Sequence, residues 1–362
     1  MIRKRRTSNI ELLRIISMFM IIASHFCLHG IFNNTEIDWN NGYFFNKIVS
    51  SMVLLGNVGV GCFFIITGYF SKDDKRNKLN IKIIADIIFF SSLNILFIII
   101  IKQMHLWDLI FTDTSWYKSI LRFLLAPITG ENWWFATAYV YLILFIVPLI
   151  NKIVGKMDDT KFFFFILVLL LAETVSEFLG TSINRVIQAS VYYLIGKFIK
   201  KNENLIWNKI KRKYIFKLSM FWSLHTMLIY FMYSNTSIMT YVINNSILTV
   251  ILEPILAIMI FVFFLKSPKI VALKSKYINR IAKTTFSIYL LHDSKVTRKL
   301  LWNYWVPMKE LFCSRGFIFY EIVVIAIVFI ICSFISAGYI IFIRNRILKI
   351  MKIFEKPLMK ER

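Results

Sequence analysis

Two residues with complementary chemistry share one apolar stretch near the start of the chain, IELLRIISMFMIIASHFCLHG over 10–30. Arg14 brings a permanently charged, planar guanidinium with five donors, suited to phosphates, carboxylates and carbonyl oxygens. His25 brings an imidazole with an ordinary pKa of about 6.5, able to take a proton and return it. Together they suit acid–base chemistry on a substrate held by an anionic or carbonyl-rich group. At about 100° per residue the two project from one face of a helix, about 16 Å apart along its axis. Glu11, Met18, Ile21 and His29 complete that face. A full charge at bilayer depth costs ~3 kcal/mol on insertion scales, so Arg14 requires a protein, water or ligand partner.

Three other stretches carry groups that could act on a substrate. NVGVGCFFIITGYF, 57–70, is glycine-rich and contains Phe63, Thr67 and Gly68; Lys75 and Arg76 follow it, where a cytoplasmic phosphate would be met. Helix packing is the simpler account of its glycines, and a solvated loop of its basic residues. ENWWFATAYVYLILFIVPLIN, 131–151, opens on tandem tryptophans, of which Trp134 is either an interface anchor or part of a substrate site. TTFSIYLLHD, 284–293, ends in His292 and Asp293, a pair that either binds a sugar near the outer face or closes the helix end. His105 and His225 stand alone, whereas Glu173, Glu177, Glu253 and Glu321 lie in or near apolar runs and need partners. Cys27, Cys62, Cys313 and Cys332 show no metal-ligand spacing, and neither a metal site nor a disulfide framework is expected. There is no Gly-x-Ser-x-Gly elbow, P-loop or HExxH motif.

The elements that must position these groups are membrane helices. The chain has 362 residues, 58% of them hydrophobic, and a mean hydropathy of +0.65. Apolar runs long enough to cross a bilayer recur from end to end, which predicts an all-α, polytopic helical bundle with no soluble domain. Ten spans are expected: 10–30, 47–70, 81–101, 133–150, 162–178, 183–199, 216–233, 247–265, 281–292 and 317–343. The ninth is short, polar and a candidate for partial re-entry. The aromatic segment 102–132 suits an interface-lying helix or loop. With the amino terminus inside, 33 of the 44 Lys and Arg fall on the cytoplasmic side and 10 outside, leaving Arg14 within the first span. This asymmetry orients the bundle with both termini cytoplasmic. It also explains the net charge of +24 without nucleic acid, for which no solvated domain is present. The expected organisation is one membrane domain over 8–346 and a basic cytoplasmic tail over 347–362.

The Arg-x10-His pattern of Arg14 and His25 resembles the signature of acyltransferase family 3, bacterial membrane proteins that O-acetylate surface polysaccharides. FFIITGYF is similar to that family's FFxxSGYF-like segment, with Thr67 where serine is usual. TTFSIYLLHD and YLIGKFIKK, 193–201, are further local matches. The WWFATAY segment resembles a family helix too, but Ala138 and Tyr139 stand where many members carry glutamate, so that residue's role is not carried over.

The resemblance implies a plasma-membrane enzyme with no bound cofactor that takes acetyl-coenzyme A from the cytoplasm as co-substrate. Its acceptor would be an extracytoplasmic polysaccharide or lipid-linked glycan, and its other partner membrane lipid. His25 would be the general base and Arg14 the residue holding the donor, with Phe63, Thr67, Gly68, Lys75, Arg76, Trp134, His292 and Asp293 as further binding residues. Direct transfer and a short-lived acetyl-His25 both fit. A succinyl donor would differ only in pocket size and charge. The rival class is a transporter, since intramembrane Arg and His also mark ion routes, although the chain shows no internal repeat of the kind many carriers have.

Overall fold

A backbone that cannot reach water must satisfy its own N–H and C=O groups, and a helix does so within one segment. The structure, a computed structural model, describes residues 8–34, 37, 42–71, 76–111, 115–130, 132–181, 183–203, 217, 220–221, 247–266 and 273–358. All regular structure among them is helical. The first elements are α1 (Ser8–His25), α2 (Phe44–Ser50), α3 (Leu55–Tyr69) and α4 (Arg76–Gln103). Three short helices follow, α5 (Trp107–Ile110), α6 (Trp116–Leu124) and α7 (Ala126–Thr129), then α8 (Trp134–Tyr141), α9 (Val147–Val154), α10 (Asp159–Phe178) and α11 (Asn184–Lys201). After the gap come α12 (Ile247–Lys266), α13 (Lys276–Ile281), α14 (Thr285–His292), α15 (Lys295–Lys299) and α16 (Met308–Phe312). The last two, α17 (Phe317–Gly338) and α18 (Arg344–Leu358), join through a π-helical turn over Tyr339–Ile343. The helix therefore runs on through the boundary expected at 346.

Among the described residues five stretches are long and apolar enough to cross a membrane: Ser8–Phe32, Phe44–Tyr69, Ile81–Gln103, Trp134–Val154 and Phe317–Met351. They coincide with the first four expected spans and the tenth. The fifth and sixth appear as α10 and α11 but are not among these five, and the eighth appears as α12, an apolar helix of 20 residues. Charges at Glu173 and Glu177 in α10, and at Arg185 and Lys197 in α11, lower the apolar character of those two. The seventh, 216–233, lies outside the described residues except at 217 and 220–221. The ninth, 281–292, appears as α14, which begins at Thr285 and stops at the expected His292; beyond it Ser294 caps α15 by accepting from the Thr297 N–H. Segment 102–132 forms short helices, with Trp116 and Tyr117 of α6 exposed and Phe123 buried against Trp133.

Helix α1 is central, with α3, α12, α13, α14 and α17 all packed against it. In lipid, where apolar burial gives little preference for one helix partner over another, close backbone approach and hydrogen bonds decide which helices meet. The glycines of α3 provide that approach. A Cβ on Gly59 would lie 2.6 Å from the Ser17 carbonyl oxygen, and one on Gly56 2.4 Å from Ser24 Oγ. On the other side, Cβ atoms on Gly61 and Gly68 would overlap the Tyr192 ring and the Tyr193 carbonyl oxygen. Thus α3 is clasped between α1 and α11. At another edge of the bundle, Tyr339 Oη and Arg344 Nη2 hold the buried Asp86 carboxylate at 2.8 and 2.7 Å, tying α4 to the last helices.

Gly68→Leu is expected to drive α11 away from α3 and destabilise the protein by ~1–3 kcal/mol or more, as overpacking does. Detergent-solubilised protein should unfold at a lower temperature, while Gly338→Ala, where nothing lies within 4 Å of the added methyl, should not differ from wild type. A Gly68→Leu protein of unchanged stability would mean that α11 does not pass there.

Candidate active site

The polar face of α1 is turned into the bundle. Glu11, Met18, Ile21 and His25 are all buried, and the apolar pair Met18 and Ile21 divides the stripe into two polar groups. At one group, Arg14 Nη1 donates to both Glu11 carboxylate oxygens at 3.1 and 3.2 Å. Arg14 keeps 28% of its side chain exposed, so the ion pair does not enclose it. Thr67 Oγ1 lies 3.3 Å from Tyr139 Oη, and Arg14 lies close enough to Tyr139 to act on it electrostatically. Phe63 sits beside this group, its ring 5.9 Å from that of Phe135. The segment selected from its glycines and the helix carrying Tyr139 therefore meet beside Arg14. Gly68 is the packing contact with α11 described above. Arg76 opens α4, and Lys75 lies outside the described residues.

The second group surrounds His25. Its Nδ1 is 3.0 Å from His292 Nε2 and 3.3 Å from Asp293 Oδ1. His29 follows one turn later, with Nε2 3.9 Å from the same carboxylate oxygen. Asp293 and His292 are wholly buried. The charge of Asp293 is met by Arg298, whose Nε donates to Oδ1 at 2.7 Å and to the Asp293 carbonyl at 3.0 Å. Arg298 Nη2 also reaches the Asn132 carbonyl at 3.3 Å, which links α15 to the start of α8. Two residues on, Trp134 carries the Arg185 guanidinium 4.8 Å above its ring.

The break after His292 creates this site. Ending α14 there lets Asp293 turn inward, and Ser294 both starts α15 and donates to Asn94 Oδ1 at 2.8 Å. Irregular backbone at membrane depth is tolerated where protein covers it, and residues 292–294 have no exposure. Arg298 lies in the next helix, five residues beyond the aspartate. The sequence does not single it out, because the turn that aims it backwards has no periodic signature. Asn132 and Arg185 carry no such signature either. A basic residue within two turns of an unpaired intramembrane aspartate was the available signal for Arg298.

The hydrogen-bond network assigns the imidazole protons. His292 Nδ1 lies 2.7 Å from the Ile288 carbonyl oxygen, which only accepts, so Nδ1 carries the hydrogen and Nε2 the lone pair. His25 Nδ1 faces that lone pair and the Asp293 oxygen, two acceptors, and therefore bears its own hydrogen. His25 Nε2 is left with a lone pair. An imidazole held in one tautomer by a buried carboxylate is the arrangement that prepares a general base.

One ligand atom from each of His25, His29 and Asp293 lies within 4.8 Å of the others, a spacing that can hold a cation. Arg298 competes with a cation for the shared Asp293 oxygen. Ligation through His25 Nδ1 would move the ring proton to Nε2 and remove the base.

Residues 7–348 match the model of acyltransferase family 3, described as an acyltransferase domain. The chain belongs to that family and is a membrane acyltransferase. Comparison with curated proteins and with solved structures returns no match.

Asp293→Asn is expected to keep the shape of the site but unsettle the His25 tautomer and leave Arg298 without its counter-charge. Acyl transfer in membranes at matched protein level should fall by ~100-fold or more, the usual scale for impairing a general base. Retention of more than about half the activity would separate Asp293 from the chemistry.

Proposed function

We propose that this enzyme moves an acetyl group from cytoplasmic acetyl-coenzyme A to a hydroxyl of an extracytoplasmic polysaccharide or lipid-linked glycan. It would do so in a bacterial plasma membrane, as a ten-span bundle with both termini cytoplasmic. The observation that carries the reading is His25 Nδ1 directed at two buried acceptors, His292 and Asp293, in a chain of this family. In the proposed step His25 Nε2 takes the proton of the acceptor hydroxyl as its oxygen bonds to the thioester carbonyl carbon. The carbon–sulfur bond then breaks, and the imidazolium returns the proton to the departing thiolate. No further oxidant or co-reactant is needed. Arg14, lower on the same face and only partly enclosed by Glu11, suits the phosphates or amides of the donor. The face of α1 would then join a donor side and an acceptor side of one path, with Thr67 and Tyr139 beside the donor.

The 33-to-10 distribution of basic residues supports the orientation. Family membership weighs against the transporter alternative, for which no observation speaks beyond the intramembrane charges themselves.

A mass comparison of surface glycans from cells with and without this chain tests the donor and acceptor classes, and an acetyl increment is expected only with it. His25→Ala should abolish that increment while the protein remains in the membrane, since loss of a general base costs ~100- to 10,000-fold. Near-normal acetylation by this variant would assign the base elsewhere.

Arg14→Lys is expected to fail nearly as badly as Arg14→Ala, because lysine preserves the charge opposite Glu11 but not the fork of donors. Acetyl transfer measured at rising acetyl-coenzyme A decides this. A lysine variant with wild-type rate and donor dependence would reduce Arg14 to an ion pair.

A further inference from the structure

A second polar cluster lies within the bundle, and the proposed mechanism does not use it. Glu173 of α10 and Glu253 of α12 are each 2% exposed. Asn57 Nδ2 donates to Glu253 Oε1 at 3.1 Å, and Gln188 hydrogen-bonds Glu173. Arg185 Nη1 reaches Gln188 Oε1 at 3.5 Å from its place over Trp134. Tyr192, wholly buried on α11, lies within electrostatic reach of both carboxylates. Its hydroxyl and Glu173 Oε2 are buried without a hydrogen-bond partner among the described residues. Two acids, two amides and a phenol at this depth are costly unless a ligand uses them.

The cluster has its Asn57 end near His25, while Tyr192 packs on Gly61, past the contact of Gly59 with Ser17 and Ile21. Asn57 follows Gly56, whose Cα rests against Ser24, the neighbour of His25. At its other end, Trp134 stands two residues from Asn132, whose carbonyl accepts from Arg298 of the His25 site. The two polar groups are thus joined through α3 on one side and through the start of α8 on the other.

We propose that Asn57, Glu173, Gln188, Tyr192 and Glu253 form a subsite for the hydroxyl groups of the acceptor, an uncharged or amino sugar; this rests on the glycan acceptor proposed above. Carboxylates accept from neighbouring sugar hydroxyls, amides and a phenol both donate and accept, and Trp134 supplies a flat apolar edge. Two buried acids against one arginine disfavour a sugar bearing carboxylate or phosphate. A metal ion fits less well. Among the described residues, three His, Cys, Asp or Glu groups come close enough to hold an ion only at His25, His29 and Asp293, and this cluster offers two acids. Here each acid has an amide bonded to it, a donor set that a polyhydroxyl ligand can share.

The test uses membranes containing the full chain, radiolabelled acetyl-coenzyme A, and the cell's own surface glycan stripped of esters by mild base. Glu253→Gln and Tyr192→Phe conserve shape, and neither adds a charge in the membrane. Each should raise the KM for stripped glycan by about 10-fold, the scale of one hydrogen bond to a charged group. The KM for acetyl-coenzyme A should not change. Tyr192→Phe removes a single hydroxyl, so it reports even if the acid substitution lowers the yield of folded protein. An unchanged glycan KM in both variants, or equal weakening toward donor and glycan, overturns the subsite. A wild-type rate that depends on sodium or potassium, with this dependence lost in Glu253→Gln at constant glycan KM, makes the cluster a cation site and also overturns it. Wild-type membranes that turn over acetyl-coenzyme A without labelling glycan would instead remove the acceptor reading, and this subsite with it.

Discussion

A carboxylate with no exposure inside an apolar bundle must be neutralised or it will not stay charged, and Asp293 is that carboxylate. Its partners come from two places in the chain: Arg298 just beyond it, and His25 with His29 at and just past the end of the first helix. Meeting that one charge fixes the end of α1 against the break between α14 and α15. Through the Asn132 carbonyl it also fixes the start of α8. Breaking such an arrangement by removing one partner leaves an uncompensated buried charge, which costs far more than a surface ion pair contributes. Structural need and the proposed chemistry therefore coincide here, since the carboxylate that Arg298 neutralises is also one of the two acceptors that set the tautomer of His25.

The rest of the bundle follows the rules of a solvent that does not favour one apolar contact over another. Glycines of α3 bring three helices close, and isolated hydrogen bonds join segments far apart in sequence. Asn9 Nδ2 donates to the Phe264 carbonyl at 3.0 Å, and Asn46 Nδ2 to the Phe312 carbonyl at 2.7 Å. Each such bond is worth little alone, but an unmade one at this depth is expensive, so partners are selected sharply. The outward faces show the converse. Phe164, Leu171, Phe334 and Phe342 are exposed, as a lipid-facing surface requires.

Along α1 the polar groups are separated by buried Met18 and Ile21. This division suits the arrangement proposed above, with two substrates approaching from opposite sides of a membrane. Charged groups can hold each substrate at its own end, while the apolar stretch between them limits leakage of water and ions. Tyr139 illustrates how the fold accommodates a departure in sequence. Where many family members are expected to carry glutamate, the tyrosine hydroxyl meets Thr67 and lies within electrostatic reach of Arg14.

The sequence by itself determined what depends on local periodicity and composition. A helical membrane class follows from apolar run length, and the inward face of α1 from the three-and-four spacing of Glu11, Arg14, His25 and His29. The pairing of His292 with Asp293 was legible as a motif, though not its partner. What the tertiary structure alone decided are contacts between residues remote in the chain: His25 with His292, Thr67 with Tyr139, and Asn57 with Glu253. The ninth expected span likewise became α14, and the break between its end and α15 lets Arg298 fold back onto Asp293. The physical reason is common to all of them. Periodicity states which face of a helix is polar, but the partner of a buried polar group is chosen by which helices can approach, and that depends on packing contributed by the whole bundle.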